Sequence, residues 1–417
     1  MKKAAVVGLY SIKNAGDVIL CQTTAHLLRT VCPDTEIVPV DVNPVNLKFK
    51  GRWSQLKKLR DTFFRGLQKL DRDLFSYGNS SRFRYVCEYA MWYLQNHRRF
   101  VRQLRGADAV VFAGGGFLKF RTQGLNYHVE QIIKIAEKYN IPVMMNGVGI
   151  EGYDEHDIRC QRLKRAINRG VVKVITTRDD IRVLQDHYME NPDIVTAQVG
   201  DPALWSPECY ADRIAEAAPR GGGDENGGPF IGLNVIRGNV YRDYGNSLSE
   251  YELLNFYKHL VHAIEARGMR WRLFSNGMKA DNVFGRKLLR ALGRTEKGLL
   301  VSPATPAAFI DHLREYDCVV GARLHACIVA YAMDVPVVGF IWNDKTRFFA
   351  AYTGRSPYYF DENHLDVETI ADALTASMAE PYDAAVREEL RQKTVRYLAP
   401  FAQAYLSDGG GRSKETT

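Results

Sequence analysis

The stretch from Cys318 to Phe340 limits the fold of this chain more than any other. An apolar run, Cys318 to Val320, stops at Gly321 and resumes at Val335 to Phe340 after a small-residue segment, Ala326 to Met333. Apolar runs of strand length on either side of a helix-length segment read as strand, helix, strand, the unit of a parallel sheet buried on both faces. Gly321 suits a tight exit from the first strand. The helix that follows has free N–H groups at its start, against which an anion can sit. Arg323 would add a charge-assisted fork for phosphate or carboxylate. His325 would share that corner if the chain is still extended there, because alternate side chains of an extended segment point the same way. The carboxyl end of a parallel strand is where open α/β sheets place their ligands. The plainer alternative is an ordinary helix cap and surface pair.

The same alternation runs through the whole chain. Lys3 to Leu9 reads as a strand, 11–17 as a loop and Val18 to Val31 as a helix, with Asp17 as its N-cap; Glu36 to Val40 is the next strand. The loop is neither a dinucleotide fingerprint nor a P-loop. Ala109 to Phe112 is a strand that ends in Gly114-Gly115-Gly116, a run that permits positive φ and close approach of a ligand to the backbone. Asn126 to Tyr139 is a helix, Val143 to Asn146 a strand and Gly147-Val148-Gly149 a turn. A helix through Ile167, strands at Val171 to Thr176 and Ile194 to Ala197, Arg178-Asp179-Asp180 opening a helix, and Gly200-Asp201-Pro202 complete the first half. Arg178 with Asp179 reads as a buried structural pair, and Asp201 reads as structural too.

Residues 206–228, with the run PRGGGDENGGP over 219–229, read as a flexible linker. At 417 residues the chain exceeds what one core usually serves. The boundaries read from it are a first α/β domain over 1–205 with a basic, aromatic helical insert at 48–105, a second over 229–380, a C-terminal helix over 381–407 packing back across both, and a disordered tail over 408–417. In the second domain Phe230 to Val235 is the first strand, and Arg237 stands just past its end. Helices at Ser249 to Arg267, Asn282 to Leu292 and Pro306 to Arg314 alternate with strands at Trp271 to Phe274 and Leu299 to Val301.

The Gly321-x-Arg323-x-His325 turn, the small-residue helix and the Asp334-Val335-Pro336-Val337-Val338-Gly339-Phe340 strand together resemble the C-terminal signature of the polysaccharide pyruvyl transferase family. Asn14-x-Gly16-Asp17 resembles its N-terminal signature, and the glycine run, Arg178-Asp179 and Gly200-Asp201-Pro202 follow its order. Members attach pyruvate from phosphoenolpyruvate to a sugar as a ketal. The resemblance implies two Rossmann-like domains facing a cleft, the GT-B-like arrangement. It also implies His325 as the catalytic group, Arg237, Arg323 and Leu324 on the phosphoenolpyruvate side, and Asn14, Gly16, Asp17, Gly114, Gly115 and Gly116 on the acceptor side; Lys345, after the final strand, reads either as a further donor-side cation or as an ordinary exposed lysine. The chemistry fits those residue types. Two anionic groups on the donor ask for two cations, and proton transfers at two hydroxyls and a methylene carbon ask for one group titrating near neutrality.

Charge and cysteines bear on partners and compartment. The formal net charge is +8, yet 48–105 alone holds fifteen Lys/Arg against four Asp/Glu, so the remainder is slightly acidic. Aromatic residues are interleaved there, which suits either solvated helix faces or a surface for an anionic partner, an acidic membrane or a pyrophosphate-linked lipid carrier. No nucleic-acid module accompanies it, so nucleic acid is not expected. Seven single cysteines without zinc or disulfide spacing suit a reduced cytoplasm. The apolar start is short, lacks a small-residue cleavage pattern and reads as a first strand. Every apolar run of membrane length carries charge, so a cytoplasmic protein, peripheral at most, is expected. No metal spacing is present, and no cofactor beyond the donor substrate is expected.

Two rival readings share this fold. One is a nucleotide-sugar glycosyltransferase, whose retaining members often hold the ribose with a Glu on the helix before the Val-Pro strand; that place falls at Val329. The other is a glycan-binding protein without catalysis.

Overall fold

A computed structural model of the chain describes residues 1–11, 14–42, 82–120, 125–216 and 227–407. Twelve strands in these residues form two six-stranded parallel sheets. The first holds β1 (Lys3–Gly8), β2 (Glu36–Asp41), β3 (Ala109–Ala113), β4 (Val143–Val148), β5 (Val172–Thr177) and β6 (Val195–Gln198), in the order β2-β1-β3-β4-β5-β6. The second holds β7 (Phe230–Asn234), β8 (Arg270–Phe274), β9 (Leu300–Val301), β10 (Cys318–Gly321), β11 (Val337–Ile341) and β12 (Tyr359–Asp361), in the order β12-β11-β10-β7-β8-β9. Strand direction of winding reverses between β1 and β3 in one sheet and between β7 and β10 in the other. Those two points are where a doubly wound sheet opens a crevice at its carboxyl edge.

Burial explains the strands. All five residues of β3, AVVFA, are buried, as are all of β4 and β11, because helices cover both faces. Flanking helices are α1 (Ala15–Val31), α2 (Arg82–Leu104), α3 (Leu125–Lys138) and α4 (Ile158–Ile167) on the first sheet. On the second lie α5 (Glu250–Ala266), α6 (Lys279–Ala291), α7 (Pro306–Arg314), α8 (Leu324–Ala332), α9 (Asp344–Tyr352) and α10 (Val367–Ala379). One apolar cluster joins the halves: Ile19 and Leu20 of α1 with Ala203 and Leu204 meet Ile328, Val329 and Tyr331 of α8 and Phe309 and Ile310 of α7. Closing helix α11 (Ala384–Leu406) returns to the first sheet, where Leu398, Phe401 and Leu406 pack with Val6, Val111 and Met144. Its first turns stay with the second half through Leu390 and the Arg387–Asp334 ion pair.

Several boundaries move. Residues 206–209 and 211–216 are helical rather than linker, because Tyr210 and Ile214 pack into the interdomain cluster; the rest of the linker at 217–226, the tail at 408–417 and the insert up to residue 81 lie outside the described residues. Asn14, not Asp17, is the N-cap of α1, and Asp17 sits in its first turn accepting from Asn14 Nδ2 at 2.7 Å. Helix α8 begins at Leu324, two residues before the expected Ala326. All seven cysteines are unpaired. Among the described residues no helix is long and apolar enough to cross a membrane.

Candidate active site between the two sheets

The early start of α8 decides the geometry of the Arg-x-His corner. Arg323 keeps extended dihedrals (φ −107°, ψ 130°) as N-cap, while His325 already lies in the first helical turn. The expectation that the two side chains share one face fails, since alternation ends where the helix begins. Arg323 stays with the second sheet. Its Nε and Nη2 donate to the Asp281 carboxylate at 2.9 and 2.6 Å, and its backbone N–H donates to Asn234 Oδ1 at 2.9 Å. His325 turns the other way, to the first half.

There the imidazole Nε2 lies 3.1 Å from Arg178 Nη1 and 4.0 Å from Asp201 Oδ2. Arg178 stands just past β5 and Asp201 just past β6, and the two form an ion pair. The expected pairing of Arg178 with Asp179 is thus corrected: Asp201, fully buried, is the partner, and it also accepts from Ala203 N at 2.8 Å. A guanidinium has donors only, so Nε2 accepts and the ring proton is assigned to Nδ1. Burial, and then the Arg178 charge, push the His325 pKa below its ordinary value. The imidazole is therefore kept neutral through physiological pH, and the group titrates below the neutral range expected for it.

Gly16 is the floor under this ring. A Cβ at Gly16 would lie 2.3 Å from His325 Cβ and 2.6 Å from Nδ1, closer than atoms can come. The glycine of the Asn14-x-Gly16-Asp17 signature thus lets α1 approach the histidine, and it offers a substrate no open space. Ala15 N donates to Asn276 O at 2.8 Å, which ties the same turn to the second half.

Lys345, in the first turn of α9, crosses in the opposite direction to His325's neighbours. Its ammonium is 3.9 Å from Asp179 Oδ2, 2.9 Å from where a Cβ of Gly149 would stand and 3.6 Å from that of Gly116. Burial lowers the Lys345 pKa, with Asp179 opposing that shift. Asp179 is itself held by Ile150 N at 2.7 Å. Gly114 and Gly115 adopt φ of +61° and +73°, which folds the glycine run back so that Gly149 N donates to Gly115 O at 2.6 Å. The run and the Gly147-Val148-Gly149 turn therefore form one backbone-lined wall beneath a lysine from the other half.

Arg237 lies after β7, next to the switch point, but its guanidinium pairs on the surface with Asp243, the side chains being 36% and 47% exposed. Leu324 packs partly buried against the interdomain cluster. The sequence reading thus named His325, Lys345, Gly16 and the glycine run, all of which meet. It placed Arg237 and Arg323 correctly at adjoining strand ends, yet both carry carboxylate partners. It gave Arg178, Asp179 and Asp201 to structure, although they form the first-sheet half of the constellation. Their position at strand-to-helix corners, in the order the family shows, was the available signal.

Two facing Rossmann-like halves with polar residues meeting between their carboxyl edges define a GT-B-like protein. Solved structures with this fold include a UDP-GlcNAc 2-epimerase from Methanocaldococcus jannaschii (TM-score 0.55, 12% identity, covering 96% of this chain and 99% of that one). MnaA of S. aureus in a UDP co-structure (0.53, 11%, 97% and 97%) and a glycosyltransferase from Rickettsia africae (0.50, 12%, 98% and 99%) are similar in the same way. At such identities the likeness shows the fold alone. A search of curated proteins finds no match by sequence. The profile of the family described as Polysaccharide pyruvyl transferase matches residues 14–344. The chain belongs to that family and is a transferase.

Proposed function

We propose that the protein moves pyruvate from phosphoenolpyruvate onto a sugar of a polysaccharide or its lipid-linked precursor as a ketal, releasing phosphate. The observation that carries this reading is the meeting of Arg178, His325 and Lys345 from both halves at one place between the sheets. Arg323 and Arg237 stand at the neighbouring switch point. A donor with a phosphate and a carboxylate is the ligand such a spread of cations suits.

The proton balance assigns the roles. Ketal formation removes one proton from each of two sugar hydroxyls; one ends on the methylene carbon, making it a methyl, and the other leaves with phosphate. A neutral imidazole can take the first of these and return it to carbon, and Asp201 at 4.0 Å steadies the imidazolium formed between the two events. Arg178 and Lys345 would hold the donor anion, exchanging Asp201 and Asp179 for it. Asp179 and the glycine wall would face the acceptor hydroxyls.

A cytoplasmic setting at an anionic membrane surface fits one further feature. Along α2 the exposed row is Val86, Ala90, Tyr93, Leu94, Arg98 and Arg102, with Arg105 just past its end, apolar at one end and cationic at the other, with Val86 61% and Leu94 81% exposed. Arg99 is excluded from that face, since it binds the Asp41 carbonyl and Asn96. Lys57 and Lys58 lie outside the described residues.

The test of the reaction is phosphate release from phosphoenolpyruvate with a panel of free and lipid-linked glycans, run beside the same panel with nucleotide sugars. Turnover confined to nucleotide sugars would replace pyruvyl transfer by glycosyl transfer; Val329, buried where a retaining enzyme would carry its ribose-binding Glu, speaks against that outcome. Binding of glycan with no turnover of either donor would support the non-catalytic reading.

A further inference from the structure

Among the described residues Asp281 is the one fully buried carboxylate at the carboxyl edge of the second sheet, and neither the sequence signatures nor the proposed chemistry uses it. It lies in the first turn of α6, where the helix N-terminus favours a negative charge. Three donors converge on it. Oδ1 accepts from Arg323 Nη2 at 2.6 Å and from the backbone N–H of Arg237 at 2.9 Å, and Oδ2 accepts from Arg323 Nε at 2.9 Å. Arg323 and Arg237 follow β10 and β7, the two strands flanking the switch point, so one carboxylate ties both sides of the crevice together.

The pairing is edge-on. It occupies two of the five N–H donors of the Arg323 guanidinium, and the other three make no hydrogen bond among the described residues. With the backbone N–H of Arg323 also fixed on Asn234, the side chain is held at both ends. An anion therefore meets a guanidinium already set in one orientation, and the loop bearing Arg237 is set by the same carboxylate. We infer that Asp281 is the positioning residue of the donor site, orienting Arg323 and the Arg237 loop toward a single anionic ligand. The inference rests on the reading of Arg323 as a donor anchor.

Its sign separates it from the alternatives. A carboxylate near an anion site repels the anion, so if Asp281 acted only through its charge, Asp281→Asn would lower the donor KM. If it served stability alone, the same change would lower the Tm and leave KM in place. As a positioning residue it gives the opposite of the first and more than the second: in Asp281→Asn the donor KM rises about tenfold or more, with kcat and acceptor KM changed by no more than about twofold, as expected when binding is lost through misplacement of an anchor. The Asp281→Asn/Arg323→Ala double variant then has the donor KM of Arg323→Ala, because the effect passes through that arginine. Should Asp281→Asn fail to fold, Arg323→Lys serves instead: it keeps the charge, cannot form the two-toothed pair, and is expected to raise donor KM to a similar degree. An unchanged or lower donor KM in the variant that folds, or multiplicative effects in the double variant, overturns the assignment. Thermal shift with inorganic phosphate separates this from failure of the pyruvyl-transfer reading. If the wild type stays inert to phosphoenolpyruvate yet is stabilised by phosphate, and Asp281→Asn abolishes that shift, the positioning role stands and the donor falls. Phosphate binding equal in the two proteins, or absent from the wild type, removes the role.

Discussion

The two sheets reverse their winding in the same manner, yet their carboxyl edges carry opposite chemistry. At the first, the edge is mostly backbone: Gly114 to Gly116, Gly147 and Gly149 line a wall of main chain, Asp179 and Asp201 are pinned by amide N–H groups, and the Arg178 guanidinium is neutralised by Asp201. At the second, the edge is long cationic side chains, Arg237, Arg323 and Lys345, and His325 turns from it toward Arg178. A glycine wall can receive a bulky, neutral, hydroxyl-rich ligand, whereas the cationic edge needs an anion. Duplicated architecture thus supplies two matched ledges, and the residues after each strand decide what each ledge presents. Within the second edge a finer contrast holds, between Arg323, 17% exposed on a buried carboxylate, and Arg237, 36% exposed on a surface one.

That contrast gives the largest expected effect. Arg323→Ala leaves the buried Asp281 charge without its cation, only the Arg237 backbone N–H remaining on it, which costs about 3–5 kcal/mol of stability, and it removes about 2–5 kcal/mol of donor affinity. Arg237→Ala disturbs a surface pair worth about 0–1 kcal/mol, so its stability is nearly that of the wild type while donor affinity still falls. Chemical denaturation and calorimetric titration with phosphoenolpyruvate measure both. Equal stability losses would erase the distinction between the two arginines, and unchanged donor binding would take them out of the site.

His325→Ala tests whether the two edges work together, since this residue reaches from the second sheet to Arg178. Turnover is expected to fall ~100-fold or more, the usual scale for loss of a general acid or base, with phosphoenolpyruvate binding retained. Full activity would make His325 a packing residue above Gly16.

Acid should weaken the fold through two buried histidines, one on each side of the comparison. His325 has its pKa lowered by burial and Arg178, and His128, on α3 against Trp92 and Phe100, is pushed down to about 3 by burial and then Arg99. Each folded-state pKa lies below the unfolded value near 6.5, so the unfolded chain binds protons that the native state refuses. Stability is then whole above about pH 6.5 and declines as pH falls beneath it, by up to about 1.4 kcal/mol per pH unit for each histidine. Denaturation between pH 7.5 and 4.5 should show this slope, and His128→Leu should remove part of it. The acidic limb of kcat/KM should likewise fall below the ordinary histidine value; a limb above pH 6.5 would mean that the imidazole is not shielded as described.

The smallest expected effect concerns the outer face of α2, far from either edge. Each Arg near an anionic surface contributes on the order of 1 kcal/mol, so Arg98→Glu with Arg102→Glu should weaken sedimentation with anionic vesicles, leave neutral vesicles unbound as before and spare turnover on a soluble acceptor. Rising salt should weaken wild-type binding in the same direction. Salt-insensitive binding, or none, would make the row a solvated helix face.

The sequence by itself determined the alternation of strands and helices as far as Phe340, because apolar runs of strand length between amphipathic segments have no other way to be buried, and it located the ends of the first eleven strands within a residue or two; the short edge strand β12 and the helices α9 and α10 around it were not read from it. Cys318–Gly321 followed by the small-residue helix was legible in that sense, as was the glycine run after β3. What followed from local spacing went wrong where a helix began earlier than expected: with Leu324 already helical, Arg323 and His325 diverge to different halves of the molecule. Partners were beyond local reasoning. Asp281 is 42 residues from Arg323 in sequence, and Arg178 is 147 from His325. Short motifs report which groups stand at a strand end, since that depends on neighbours in the chain; which charges face one another depends on how the two sheets dock, and only the tertiary structure fixes that.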